Sequence, residues 1–126
     1  MSNNKYLLKG GTIVNEGKIW MADILIEDSF ITKIDENISH PEAQEINIEG
    51  LHILPGVIDD QVHFREPGLT HKANIGSEAM AAIAGGTTSF MEMPNTNPAA
   101  LTQELLQDKY DIAANTSLAN YSFFMG

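Results

Sequence analysis

The chain has 126 residues, 43% hydrophobic and 19% charged, which is ordinary for a soluble globular protein with a modest core of its own. Its formal net charge of -10, with only 7 scattered Lys and Arg, argues against a nucleic-acid partner, because phosphate binding needs clustered cations. Cysteine is absent, so disulfides and thiolate metal sites are excluded; no apolar run reaches the length of a signal-peptide core or a membrane span, and the cytoplasm is the expected location.

Short strands come first. Lys5–Val14 reads as a strand ending in the turn Asn15-Glu16-Gly17. Lys18–Ile26 follows, then a tight turn at Glu27-Asp28-Ser29 and the β-branched run Phe30–Ile34, which together predict a hairpin. Ile38–Gln44 reads as a loop around His40-Pro41. Ile46 and Ile48 alternate with polar residues and predict one more strand before Glu49-Gly50.

After Gly50 the texture changes. Leu51–Phe64 reads as a strand broken by Pro55-Gly56. Asn74–Ala84 is a small-residue helix with Ile75, Ala79, Met80 and Ile83 on one face, ended by Gly85-Gly86. Thr87–Met93 is a second strand. Thr102 caps a second helix with Leu105, Leu106, Tyr110 and Ala113 on its inner stripe. Tyr121–Met125 is a third strand, with Tyr121, Phe123 and Phe124 read as core and Met91, Met93 and Met125 as packing residues. The order β-α-β-α-β predicts an α/β fold with a parallel sheet.

The stretch PGVIDDQVHFREPG, Pro55 to Gly68, carries the chemistry. Side chains alternate across a strand, so Asp59, Gln61, His63 and Arg65 are expected on one face, with Val62 and Phe64 on the face that meets helices. Leaving polar groups buried and unpaired costs about 2–7 kcal/mol each, so such a cluster is not filler. The plain alternative is an exposed strand end with an Asp59–Arg65 ion pair. Pro94-Asn95-Thr96-Asn97-Pro98 leaves the next strand at the same end. Its composition alone describes a turn, but its position aims Asn95 and Arg65 at one spot. A guanidinium fork and an amide there suit a small anionic substrate bearing a carboxylate. His40, His52 and His71 read as structural or solvated. Glu92 either faces the sheet interior or pairs with a neighbour outside it.

PGVIDDQVHFREPG and MPNTNP, with AGGTT between them, resemble the dihydroorotases of the amidohydrolase superfamily over nearly the whole chain. The resemblance implies that residues 1–50 are the N-terminal part of a small β-sandwich. It implies that residues 51–126 are the first three strands of a (β/α)8 TIM-like barrel of metal-dependent hydrolases. The implied reaction is reversible hydrolysis of a cyclic amide, dihydroorotate to N-carbamoyl-L-aspartate, in pyrimidine synthesis. The implied cofactor is Zn2+, as one or two ions. His63 matches a metal-binding histidine of the family and sits with Arg65 and Asn95, which match residues that hold the substrate carboxylate.

This sequence departs from the family pattern twice. The usual His-x-His pair has Gln61 in first place, and a neutral amide oxygen is a poor zinc ligand. A complete barrel takes roughly 250 residues, so the chain is expected to be a fragment that stops after barrel strand three. The family's catalytic Asp would lie beyond Gly126, leaving no catalytic residue in this chain and an isolated piece prone to aggregation. Two other functions compete: an inactive assembly partner of aspartate carbamoyltransferase, favoured by Gln61, and a hydantoinase or allantoinase relative. A homodimer is a further expected association.

Overall fold

A computed structural model describes residues 4–126. The chain divides into two compact units, Met1–Pro55 and Gly56–Gly126. The division falls after Pro55 rather than at Gly50 because residues just past Gly50 belong to the first sheet.

The first unit is one sheet of five strands: β1 (Lys5–Asn15), β2 (Lys18–Glu27), β3 (Phe30–Asp35), β4 (Gln44–Asn47) and β5 (His52–Ile53). The order is β3-β2-β1-β4, with β5 also paired to β1. The hairpins β1–β2 and β2–β3 are antiparallel, as the turns predict, whereas β4 and β5 run parallel to β1. A sandwich needs a second sheet, and the described residues of this unit supply only one. Leu7, Leu25 and Ile38 form one buried cluster; Ile13, Ala22 and Ile24 form another. The β1 ladder shifts register between Leu8 and Gly11, where Gly10 sits at φ 76, a conformation suited to glycine. Gly10 N donates to Asp23 Oδ1 at 2.9 Å, and Ile38 N donates to Oδ2 at 2.9 Å.

The second unit follows the predicted order: β6 (Val57–Val62), α1 (Ile75–Ala84), β7 (Thr87–Glu92), α2 (Gln103–Thr116) and β8 (Asn120–Phe123). The sheet order is β6-β7-β8 and every pair is parallel. Asn74 caps α1 by accepting from Ser77 N at 2.8 Å, and Thr102 caps α2 by accepting from Leu105 N at 3.3 Å. The core joins Phe64, Ile75, Ala79, Phe90, Ala113, Ala119 and Phe123. Its aromatic rings meet closely, with Phe64 and Phe90 at 4.5 Å between centroids and Tyr110 edge-on to Phe123 at 4.9 Å.

Three expectations are corrected here. Met80 and Ile83 are exposed, because α1 buries only Ile75 and Ala79 in its first half. β8 stops at Phe123, so Phe124 and Met125 are exposed rather than core. β6 stops at Val62 rather than Phe64, so His63 already lies past the strand, together with Arg65. No helix among the described residues is long and apolar enough to cross a membrane.

Candidate substrate-binding site

The exits of β6 and β7 form the site. Met93 N donates to Val62 O at 3.0 Å and extends the parallel pairing to the last residue of β6. The two loops beyond are locked together. Asn97 N donates to Pro67 O at 3.1 Å. Gly68, at φ 81, lies so close that a Cβ there would collide with the Asn97 carbonyl oxygen. Thr96 is buried and its hydroxyl donates to Pro98 O at 2.8 Å, which stiffens the PNTNP turn. Glu66 is turned away from the site: its Oε2 accepts from Ile75 N at 2.9 Å and closes the start of α1.

This scaffold brings His63 and Asn95 together. His63 Nδ1 lies 2.9 Å from Asn95 Oδ1. An amide oxygen accepts, so Nδ1 is the donor in this contact, and in the matching neutral tautomer Nε2 keeps its lone pair. The Asn95 amide nitrogen keeps both its donors. Arg65 leaves the same strand exit, half-buried, with φ 72. Its backbone N donates to Glu92 Oε1 at 3.0 Å, and its guanidinium has no partner among the described residues. The strand exits thus carry an amide with free N–H groups held against an imidazole, and, two residues past His63, a guanidinium.

The other residues of the stretch are not in the expected array. The β6–β7 register shifts between Asp59 and Val62, which interrupts the strict alternation from Asp59 to Arg65. Asp59 Oδ1 accepts from Gln61 N at 3.1 Å, and the plain Asp59–Arg65 ion pair is not formed. The Gln61 side chain is exposed.

Glu92 resolves the two alternatives left by the sequence: it is fully buried and pairs outward, its Oε2 2.9 Å from Lys109 Nζ on α2. Burial pushes its carboxyl above the usual 4.5, against the pull of Lys109 and of the Arg65 and Phe64 backbone. Lys109 escaped the sequence reading, although its spacing of four from both Leu105 and Ala113 puts it on the inner stripe of α2.

The donors among the described residues do not by themselves make up a zinc site. His63 fits as one ligand through Nε2, held by Asn95 as metal-bound imidazoles are held by their outer partners. Gln61 adds only a neutral amide, and no group of three or more His, Cys, Asp or Glu among the described residues could hold a metal ion.

A parallel βαβαβ sheet whose strand exits carry an imidazole, an amide and a guanidinium is an α/β unit with a polar cluster at the C-terminal ends of its strands. Residues 50–124 match the model of the dihydro-orotase-like family. The chain is 42% identical over 114 residues to a dihydroorotase of Streptococcus thermophilus, covering 89% of this chain and 27% of that one. It is 38% identical over 121 residues to an allantoinase of Deinococcus radiodurans, covering 95% of this chain and 27% of the relative. Among solved structures, the L-hydantoinase (dihydropyrimidinase) of Arthrobacter aurescens superposes with a TM-score of 0.85 at 29% identity, over 96% of this chain and 27% of that one. The chain belongs to the dihydro-orotase-like family and corresponds to the N-terminal region of its members. It spans about a quarter of the length of the curated relatives it matches, 27% for both proteins named above.

Proposed function

We propose that the polypeptide carrying this chain is a cyclic amide hydrolase, and specifically a dihydroorotase that opens dihydroorotate to N-carbamoyl-L-aspartate and closes it again. The observation that carries this reading is the pairing of Asn95 with His63 at 2.9 Å, past the same strand that Arg65 leaves with its guanidinium unpartnered among the described residues. The amide oxygen is spent on the imidazole, so the amide N–H groups and the guanidinium are left to face an anion. The ring carboxylate of dihydroorotate is that anion. His63 Nε2 and, more weakly, Gln61 are this chain's contribution to a metal site in a (β/α)8 barrel whose remaining strands and ligands come from outside these residues. Zinc bound there supplies polarisation of the ring carbonyl and a more acidic water, with a pKa of about 7. Arg65 and Asn95 orient the ring by its carboxylate, and Asn95 holds the His63 tautomer.

The allantoinase and hydantoinase likenesses support a second reading, hydrolysis of an uncharged ring. Arg65→Ala in the complete polypeptide separates the two. Breaking a buried carboxylate–guanidinium pair on one side costs about 2–5 kcal/mol, so kcat/KM for dihydroorotate falls at least about thirtyfold. An uncharged ring as the true substrate would leave kcat/KM for hydantoin or allantoin high and nearly untouched. Gln61 supports a third reading, a non-catalytic partner of aspartate carbamoyltransferase; turnover of dihydroorotate by the wild-type protein ends it.

A further inference from the structure

Behind the site lie two charged side chains that touch no substrate. Glu92 ends β7 and Lys109 lies in the middle of α2, and each is 0% exposed. Their charged atoms are 2.9 Å apart. Each also holds a different strand exit. Glu92 Oε1 accepts from Arg65 N at 3.0 Å, just past β6. Lys109 Nζ donates to Met93 O at 3.0 Å, just past β7 and close before Asn95. The ammonium also lies 4.9 Å from the centre of the Phe123 ring.

Stability alone does not account for these charges. A buried ion pair is commonly matched or exceeded by an apolar pair of the same volume. The backbone supplies a reason for keeping them. Arg65 holds φ 72, a conformation that L-residues with a Cβ avoid. The Glu92 carboxylate fixes the N–H of that turn, and the turn decides where the guanidinium points.

We propose that Glu92 and Lys109 form a buried positioning clamp that sets the separation and aim of Arg65 and Asn95, so that both grip one substrate carboxylate. Neither is a catalytic residue; each acts through the backbone of a gripping residue. The inference rests on the reading that Arg65 and Asn95 bind that carboxylate.

The test uses two double variants of the complete polypeptide. Glu92→Leu with Lys109→Met removes both backbone anchors. Glu92→Gln with Lys109→Met removes the charges and the Met93 bond but keeps an acceptor for Arg65 N. KM and kcat are measured for dihydroorotate, with the inhibition constant of dihydrouracil, the same ring without the carboxylate. The Leu/Met variant raises KM about tenfold, with kcat within about threefold and dihydrouracil inhibition unchanged, the signature of lost uniform binding at one substrate group. The Gln/Met variant lies between it and the wild type, about threefold up in KM. A wild-type KM in the Leu/Met variant overturns the clamp, as does a joint loss of kcat, KM and dihydrouracil binding. If the Leu/Met protein does not fold, the Gln/Met protein decides: an unchanged KM overturns the clamp and a selective rise supports it. A wild-type enzyme that binds dihydroorotate no better than dihydrouracil sinks the site reading and the clamp with it. A discriminating wild type beside equally discriminating variants sinks the clamp alone.

Discussion

Each unit buries one carboxylate against one lysine, and the two pairs behave oppositely. In the first unit, Asp23 is 3% exposed and lies 3.0 Å from Lys9 Nζ. Burial pushes its carboxyl up, but hydrogen bonds from Ile38 N, Gly10 N and Lys9 together outweigh burial and hold it below 3.8. In the second unit burial wins, and Glu92 stays above 4.5. The residue types are the same; the surroundings differ. Two backbone donors close directly on the Asp23 oxygens, and the Lys9 side chain keeps a third of its surface in water. Lys109 is sealed in with its partner, so the second pair desolvates both charges. Asp23 therefore stabilises a bulged sheet, whereas the Glu92 pair is retained at a cost beside the site.

Lys109→Met is the largest blow to this contrast. It strands a buried carboxylate, which costs about 3–5 kcal/mol at neutral pH. The folded pKa of Glu92 lies above its unfolded value of 4.5, so its charge opposes folding as pH rises through that folded pKa. The loss is thus greatest at pH 7 and shrinks in acid, where Glu92 is protonated. Urea unfolding of the complete polypeptide at pH 7 and pH 5 measures it. An equal loss at both pH values would show that Lys109 contributes only packing.

Asp23→Asn comes next. An amide cannot accept from Gly10 N, Ile38 N and Lys9 together, and losing charge-assisted bonds costs about 2 kcal/mol at pH 7. Here the slope reverses. A depressed folded pKa gives stability that is fully present above 3.8 and is lost as pH falls through the folded value. The gap between wild type and variant, read from urea midpoints, narrows on acidification below pH 3.8. A gap that widens in acid would show that the two carboxylates do not differ as described.

The same contrast divides what the sequence could reveal. Local patterns were legible: the helix cap Thr102, the start of the first helix at Asn74, the turns at Glu16 and Asp28, and the order of strands and helices in the second unit. That Asn95 and Arg65 lie beyond neighbouring parallel strands at the same edge was legible from the order of elements, whereas the direct contact of Asn95 with His63 was not read from the sequence. The Glu92–Lys109 pair was not, since it joins residues on different elements and a lysine on an apolar stripe reads first as a solvated face. The left-handed backbone of Arg65, φ 72, was equally hidden, because its N–H is held by a carboxylate supplied by β7. The pairing of β4 and β5 with β1 crosses long stretches of chain, and no local signal marks it.

The smallest expected effect divides stability from function. Glu92→Gln with Lys109→Met removes both charges at once and leaves a hydrogen-bond acceptor opposite Arg65 N. Neither desolvation penalty remains, and Met fills the volume of the lysine stem. The folded state then gains about 1 kcal/mol at pH 7 over wild type. The gain fades toward pH 4.5, because the wild-type Glu92 sheds its own penalty on protonation. Thermal melts across that range decide it. A more stable protein that grips dihydroorotate less well would show a charge pair kept for geometry at the expense of stability. A protein destabilised at every pH would show instead that the second unit relies on its ion pair, as the first relies on Asp23.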